Sequence, residues 1–496
     1  MRKSRRILVG LLGVLAVCLP YGFSFGQSAD SIPPVVHVSA EIGGLGATST
    51  RTPLWLRANQ FGAIPLTTPA GIVRVGSTAL FRTPAKPNGW FVGYGLDVVG
   101  HAASASRLLL PEAYATVGVG RIELMAGRRK EILGLVDTTL SSGSFGWSGN
   151  ALPISKVQIG TRGFAPVPFT RELLAINAFF AHGWFPNTDS IQGSYLHQKA
   201  VYVRLGKPDW RVKFYAGLLH NAQWGGRSTY ISPQAIKDSV LPSSLKAYWY
   251  VVTARQPDAT IPDQFTQFDA VNRFGNHLGS IDLATEIDLG RSNLFLYHQH
   301  PYEDKSGLAF TNFPDGLYGV RLRCQPDPAA RSFQLTRLVF EVLSTMDQGG
   351  PLVRQGKYDG QDDYFNNYQY LDGWSVGRQS IGTPLLARRQ DIQPEWQNKV
   401  GNSWAVASNR TQAVYAGVTG VFPSGIQLMA RASFTRHYGT YRMPFPDQAT
   451  QFSGILWVTW PIPRLNGVQI RSALAVDQGT LYQNSTGGWL SLRKIW

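Results

Sequence analysis

Several short strings in the first half of the chain collect side chains suited to gripping a sugar. Trp147, Trp184 and Trp224 offer flat π-faces for a pyranose ring, and Asn150, Asn221 and Gln223 offer amide donors and acceptors for hydroxyls. Arg128, Arg129 and Lys130 are three consecutive cations that match carboxylated or phosphorylated units. His182 and His220 stand beside two of the tryptophans and complete the set. The combination suits an acidic glycan. Every member also has a structural use. A tryptophan near a strand end fits the aromatic belt of a membrane protein. Interior arginines pair with carboxylates such as Glu123, Asp282 and Glu286, and Glu131 neutralises Lys130.

Other chemistries have weaker support. His182, His220, Asp137 and several serines are raw material for a nucleophile with a base, but no G-x-S-x-G turn frames any serine, so no catalytic residue is assigned. His298 and His300 share a strand face without an obvious third ligand, which fits a lumen or loop-base hydrogen-bonding site. The run Gly43 to Gly46 lacks the lysine and serine of a phosphate loop. Neither metal nor cofactor is expected.

These residues must be held by something, and the chain's rhythm says what. Val212, Phe214, Ala216 and Leu218 oppose Arg211, Lys213 and Tyr215. Ile281, Leu283 and Ile287 oppose Asp282, Glu286 and Asp288. The same two-residue period recurs at Leu428 to Phe434, at Val468 to Val476 and in the final stretch through Leu490 and Leu492 to Trp496. An arginine or lysine facing lipid at mid-bilayer costs roughly 2–4 kcal/mol, so Arg211, Lys213 and Arg471 are expected to point inward. Short connections at Gly118 to Gly120, Gly206 to Asp209, Gly290 to Ser292, Pro423 to Gly425 and Pro461 to Asn466 alternate with long ones. The long ones run from Arg129 to Ser155, Asn221 to Gly279, Pro301 to Gly316, Thr345 to Arg410 and Gly439 to Gln451. The reading is an all-β chain: a transmembrane antiparallel β-barrel of about 18 strands with short periplasmic turns and long extracellular loops. Ser232 before Pro233, and Ser244 before Leu245 to Val252, predict short helices in one of those loops. The segment from Thr345 to Arg410 has room for a further hairpin.

The amino terminus sets the address. Arg2, Lys3, Arg5 and Arg6 precede an apolar run from Ile7 to Leu19, with small residues at Ser24 and Gly26. That is the layout of a secretory signal peptide over residues 1–26, leaving 27–496 as the barrel in the cell's outer membrane. The formal charge is +16, and subtracting the leader's four basic residues leaves +12. Export redirects that excess from nucleic acid toward acidic glycans or lipid headgroups. Cys18 departs with the leader, so Cys324 has no intrachain partner and no disulfide staples the mature chain.

Six strings resemble the Wzi family of capsule assembly proteins, in the form common among Bacteroidetes. They are TPLWLRANQFG (52–62), GRRKE (127–131), WSGNALP (147–153), AHGWF (181–185), SYLHQK (194–199) and HNAQWGG (220–226). The resemblance implies an outer-membrane barrel that binds and attaches capsular polysaccharide at the cell surface, as a lectin and not an enzyme. Its partners would be the capsular polysaccharide, outer-membrane lipid and, during biogenesis, the barrel assembly machinery. Enterobacterial relatives carry a helical plug at the periplasmic end. Here the stretch after the leader reads Pro33, Pro34 and then a strand, so the chain departs from that pattern. A substrate-specific porin for anionic sugars or small acids would use the same residues, and the two readings differ in whether the lumen is blocked.

Overall fold

Alternating apolar and polar side chains leave each strand unable to bury its greasy face alone, and the chain solves this by closing a ring. The computed structural model describes residues 35–83, 89–231, 237–257, 273–352, 358, 360–397 and 405–496. The expected leader and the Ser232–Pro233 helix start lie outside them. The wall begins with β1 (Val35–Ala47), β2 (Ala70–Arg82), β3 (Trp90–Ala102), β4 (Arg107–Val119), β5 (Ile122–Arg128) and β6 (Ser155–Thr161). It continues through β7 (Leu174–Trp184), β8 (Tyr195–Leu205), β9 (Val212–Trp224), β10 (Asn276–Asp288), β11 (Ser292–Tyr302) and β12 (Gly316–Cys324). It ends with β13 (Gln334–Ser344), β14 (Thr411–Val421), β15 (Gln427–Gly439), β16 (Pro444–Pro461), β17 (Val468–Gly479) and β18 (Ser485–Ile495). Each strand pairs antiparallel with its sequence neighbours, and β1 also pairs with β18, placing Ile42 opposite Leu492. The result is a closed barrel of 18 antiparallel strands.

The faces follow the sequence period. Phe214, Leu218, Leu283, Ile470, Leu474, Leu490 and Leu492 are exposed on the outside, while Lys213, Asp282, Arg431 and Ser491 are buried on the inside. A ring with a continuous apolar exterior and polar lining is the solution that leaves no unpaired strand edge in lipid. No helix among the described residues is long and apolar enough to cross a membrane.

One end of the barrel carries only compact connections, the longest being 162–173. The other carries 48–69, 129–154, 225–275, 303–315 and 345–410, as the alternation of connection lengths predicted. The Gly439 to Gln451 loop is a correction. Residues 440–443 make a tight turn, and β15 and β16 run on past it as a hairpin. The extension is stabilised because Phe445 packs on Trp396 of the neighbouring loop, ring centroids 4.6 Å apart. Within 345–410 there is a small hairpin, Ser375–Val376 against Gln379–Ser380, which adds nothing to the wall. The helix Leu245–Thr253, here α1, forms behind Ser244, whose hydroxyl accepts the Ala247 N–H.

The apolar core lies inside the ring. Trp55, Leu140, Phe145, Trp147, Phe365 and Trp374 belong to one buried cluster built from the long loops 48–69, 129–154 and 345–410 and from the inner faces of the strands.

Candidate functional site

The 129–154 loop leaves β5 and descends into the lumen, where carboxylates of the wall capture it. Asp282 of β10, fully buried, accepts the Leu135 N–H at 2.7 Å and the Gln299 side-chain amide at 2.9 Å. Glu341 of β13 accepts the Ser142 N–H and the Ser141 hydroxyl, both at 2.7 Å, and the Tyr297 hydroxyl at 2.5 Å. Arg337 grips both oxygens of Asp137 at 2.9 and 2.8 Å. Arg431 donates to the Thr139 carbonyl, and the Tyr415 hydroxyl donates to that of Leu140. At Gly134 the backbone passes close against the wall: φ is +121° and an added Cβ would sit 2.1 Å from the Gln299 amide.

Two further outer loops complete the filling. In the 48–69 loop the four-residue helix Leu54–Arg57 is wholly buried. Its Leu54 N–H donates to Asp477 at 2.9 Å, the Trp55 indole to Ser433 at 3.0 Å, and Arg57 to Asp391 at 3.0 Å. From the 345–410 loop, Trp374 donates to the Gly146 carbonyl, and Phe365 packs on Phe145. A loop interior to a barrel must satisfy its own backbone groups against the wall, and these bonds do so.

Beneath the inserted loop lies a ladder of ion pairs. Arg129 binds Glu123 at 2.5 Å and Glu131 at 2.7 Å and covers the Tyr114 ring. Lys156 meets the other Glu131 oxygen at 2.6 Å. Lys130 is neutralised by Asp97 at 2.6 Å and Glu112 at 3.4 Å, not by Glu131 as expected. The reason is strand direction: Glu131 is drawn toward β6 and its lysine, away from β4.

The sugar-gripping set is thus divided among four environments. Arg129 and Lys130 sit in the lumen ladder, while Arg128, one residue earlier, turns away and donates to the Leu110 carbonyl. Trp147 and Asn150 lie in the plug. Trp147 packs on Trp374 with the Lys156 ammonium over its ring, and Asn150 donates to the Ser380 carbonyl. Asn221 and Gln223 are buried in the wall, bonded to Gln198 and Leu278 and to Ser194 respectively. His182, Trp184, His220 and Trp224 alternate onto the outward face of β7 and β9. There Tyr248 of α1 packs edge-on against His182 and stacks on Trp224 at 5.1 Å, His220 bonds His277 at 2.8 Å, and Trp184 stays exposed. Lys199 of this outward face reaches the Val252 carbonyl at the end of α1.

Residues outside that set matter as much. Of the two carboxylates that hold the plug, Asp282 read in the sequence only as an inward carboxylate, and Glu341 carried no signal that singled it out. Asp137, considered as part of a hydrolytic site, is instead locked to Arg337. The helix 54–57 had one local signal: three apolar residues after Pro53, too few for a strand yet flanked by polar loop.

The outer loops carry an acidic layer. Asp315 accepts the Asp347 and Gln348 N–H groups and the Tyr364 hydroxyl. Burial pushes its carboxyl up to about 6. Glu303 is raised by burial and by neighbouring Asp362, and Asp362 by burial with Asp304 and Asp315 adding to it. Folded-state values above the unfolded ones mean that the native loops bind more protons, so stability present at low pH is lost as pH rises toward and through about 6. Amide hydrogen exchange, corrected for intrinsic rates, should be faster in 303–315 and 361–365 at neutral pH than near pH 4.5. Equal or greater protection at neutral pH would contradict this.

No protein-family model and no curated protein matches the sequence. Among solved structures the chain is similar to Escherichia coli Wzi, described as an outer-membrane protein involved in group 1 capsule assembly and a carbohydrate-binding β-barrel. The identity is 13% over 92% of this chain and 83% of that one, with a TM-score of 0.55. It is also similar to Pseudomonas aeruginosa OccK5, at 9% identity over 93% and 97% of the two chains and a TM-score of 0.46. Acinetobacter baumannii OccAB4 matches at 7% identity over 95% and 100%, with a TM-score of 0.47. At these identities the likeness establishes the barrel fold.

Proposed function

We propose that this protein is an outer-membrane barrel, exported by its amino-terminal leader, that holds acidic capsular polysaccharide at the cell surface without transporting or chemically altering it. The observation that carries the reading is the filled lumen. A solute path through the ring would have to break the Asp282 and Glu341 bonds to the inserted loop and part the Trp55–Phe145–Trp374 cluster. The role described for E. coli Wzi and the six Wzi-like strings support the same reading.

The long-loop end offers surfaces of the required chemistry. Arg442 lies over the exposed Tyr368 ring at 4.6 Å, and Arg410 over Tyr441 at 4.2 Å, pairing a stacking face with a cation. One long polymer presents the same sugar many times, so weak contacts of this kind add up to firm retention. The test is retention of purified capsular polysaccharide on the immobilised full-length protein. Retention that weakens as salt is raised is the expected result. Polysaccharide that passes unretained at low salt would overturn the proposal.

A further inference from the structure

We infer that the short-turn end of the barrel carries a second ligand site, a blind vestibule that takes the anionic end of a carboxylated oligosaccharide; this ligand class rests on the glycan-holding reading above. The vestibule is a cavity of about 1100 Å³ inside the ring. Residues 131–135 of the inserted loop line its inner end, and the compact connections 120–121 and 162–173 border its mouth. Its size is at or above the upper end of the ~300–1,000 Å³ range of small-ligand pockets, which suits a short run of sugar units.

Four arginines line this space: Arg82, Arg121, Arg129 and Arg162. Two glutamates, Glu123 and Glu131, oppose them. Arg129 takes most of that negative charge, lying 2.5 and 2.7 Å from the two carboxylates, while Arg162 stands 3.7 Å from Glu123 with its guanidinium over Phe91. Arg82 and Arg121 at the exposed rim have no carboxylate within ion-pair distance among the described residues. The mouth is therefore cationic, and a low-dielectric wall around it focuses the field on an entering anion.

A second observation is independent of charge. Tyr202 and Gln158 both line the cavity while only 5% and 8% exposed, and neither the Tyr202 hydroxyl nor the Gln158 side-chain carbonyl, both buried, has a hydrogen-bond partner among the described residues. Buried polar atoms are normally satisfied, so a hydroxyl and a carbonyl left unpartnered in two residues that line one cavity point to a hydroxylated ligand that a small side-chain shift would let them reach. The plug separates this space from the long-loop end, so its ligand arrives from the side opposite the capsule-holding surface.

The test uses the full-length protein in detergent and isothermal titration with trigalacturonic acid, with maltotriose as the uncharged sugar of equal length. Saturable binding of trigalacturonate, and binding of maltotriose at least about tenfold weaker, are expected. Arg121→Ala with Arg162→Ala should weaken trigalacturonate binding by about tenfold at low salt and by less at high salt. Tyr202→Phe, which removes one unpartnered oxygen, should weaken trigalacturonate binding and leave the urea unfolding of the barrel unchanged. Capsule retention at the long-loop end should be unchanged in all variants. Wild-type protein that does not bind trigalacturonate, or arginine variants that bind it as tightly as wild type, would overturn the vestibule. Loss of capsule retention by wild type with trigalacturonate binding intact would instead overturn the surface-holding reading and leave the vestibule standing.

Discussion

Replacing Asp282 and Glu341 together with alanine should release the 129–154 loop from the lumen and turn a silent barrel into one that passes flickering current. The two carboxylates accept three bonds from that loop: the Leu135 and Ser142 N–H groups and the Ser141 hydroxyl. Hydrogen bonds to charged groups contribute roughly 1.5–3 kcal/mol each, so the loss is on the order of 5 kcal/mol, comparable to the whole stability of many domains. The strand ladder itself is untouched, because both side chains point inward from strands whose pairing is backbone to backbone. Asp137 with Arg337, and the apolar contacts around Phe145, would keep the loop near its site, which is why intermittent opening is expected. Asp282→Asn with Glu341→Gln, retaining acceptor oxygens, should lie between wild type and the alanine pair. The measurements are planar-bilayer current and amide exchange over residues 134–145. Unchanged protection in the alanine pair would show that the carboxylates do not hold the plug.

Glu131→Ala should be the most destabilising single change in the ion-pair ladder, by about 3–5 kcal/mol, because it strands a buried cation. The Lys156 side chain is 1% exposed, and its ammonium has Glu131 at 2.6 Å and the neutral Gln198 carbonyl at 2.7 Å. Removing Glu131 leaves that charge with one uncharged acceptor and the faces of Trp147 and Phe179. Arg129 keeps Glu123 and suffers less. If the penalty is the stranded charge, then adding Lys156→Met to Glu131→Ala should restore most of the stability. Urea unfolding of the detergent-embedded barrel reads both values. A single variant within about 1 kcal/mol of wild type would mean that water reaches Lys156 and screens it.

The wall was legible in the sequence because lipid enforces it. A slip of one residue in β9 or β17 would put Lys213 or Arg471 into the apolar exterior, so the alternation had to be clean and the faces could be assigned without coordinates. Connection lengths carried the same message, since turns at one end are all compact. The interior was not legible. Trp147 and Trp224 stand in similar strings of tryptophan, glycine and amide residues, yet one is in the plug and the other outside the wall under α1. Local pattern distinguishes apolar from polar, not inside from outside, once a residue has left the strand rhythm. The acceptors for the inserted backbone are equally silent, because a carboxylate bonding a distant N–H has the same sequence neighbourhood as one bonding an arginine. Where local composition did carry information, as at Ser244 before the helical run, the element appeared where expected.

The filled lumen implies a ring closed to solute by its own loops. Single-channel recording of the unmodified, full-length protein in a planar bilayer tests it most directly. Insertion without resolvable conductance steps is the predicted result. Stable ohmic steps with anion selectivity would contradict it and favour a porin that carries anionic sugars or small acids.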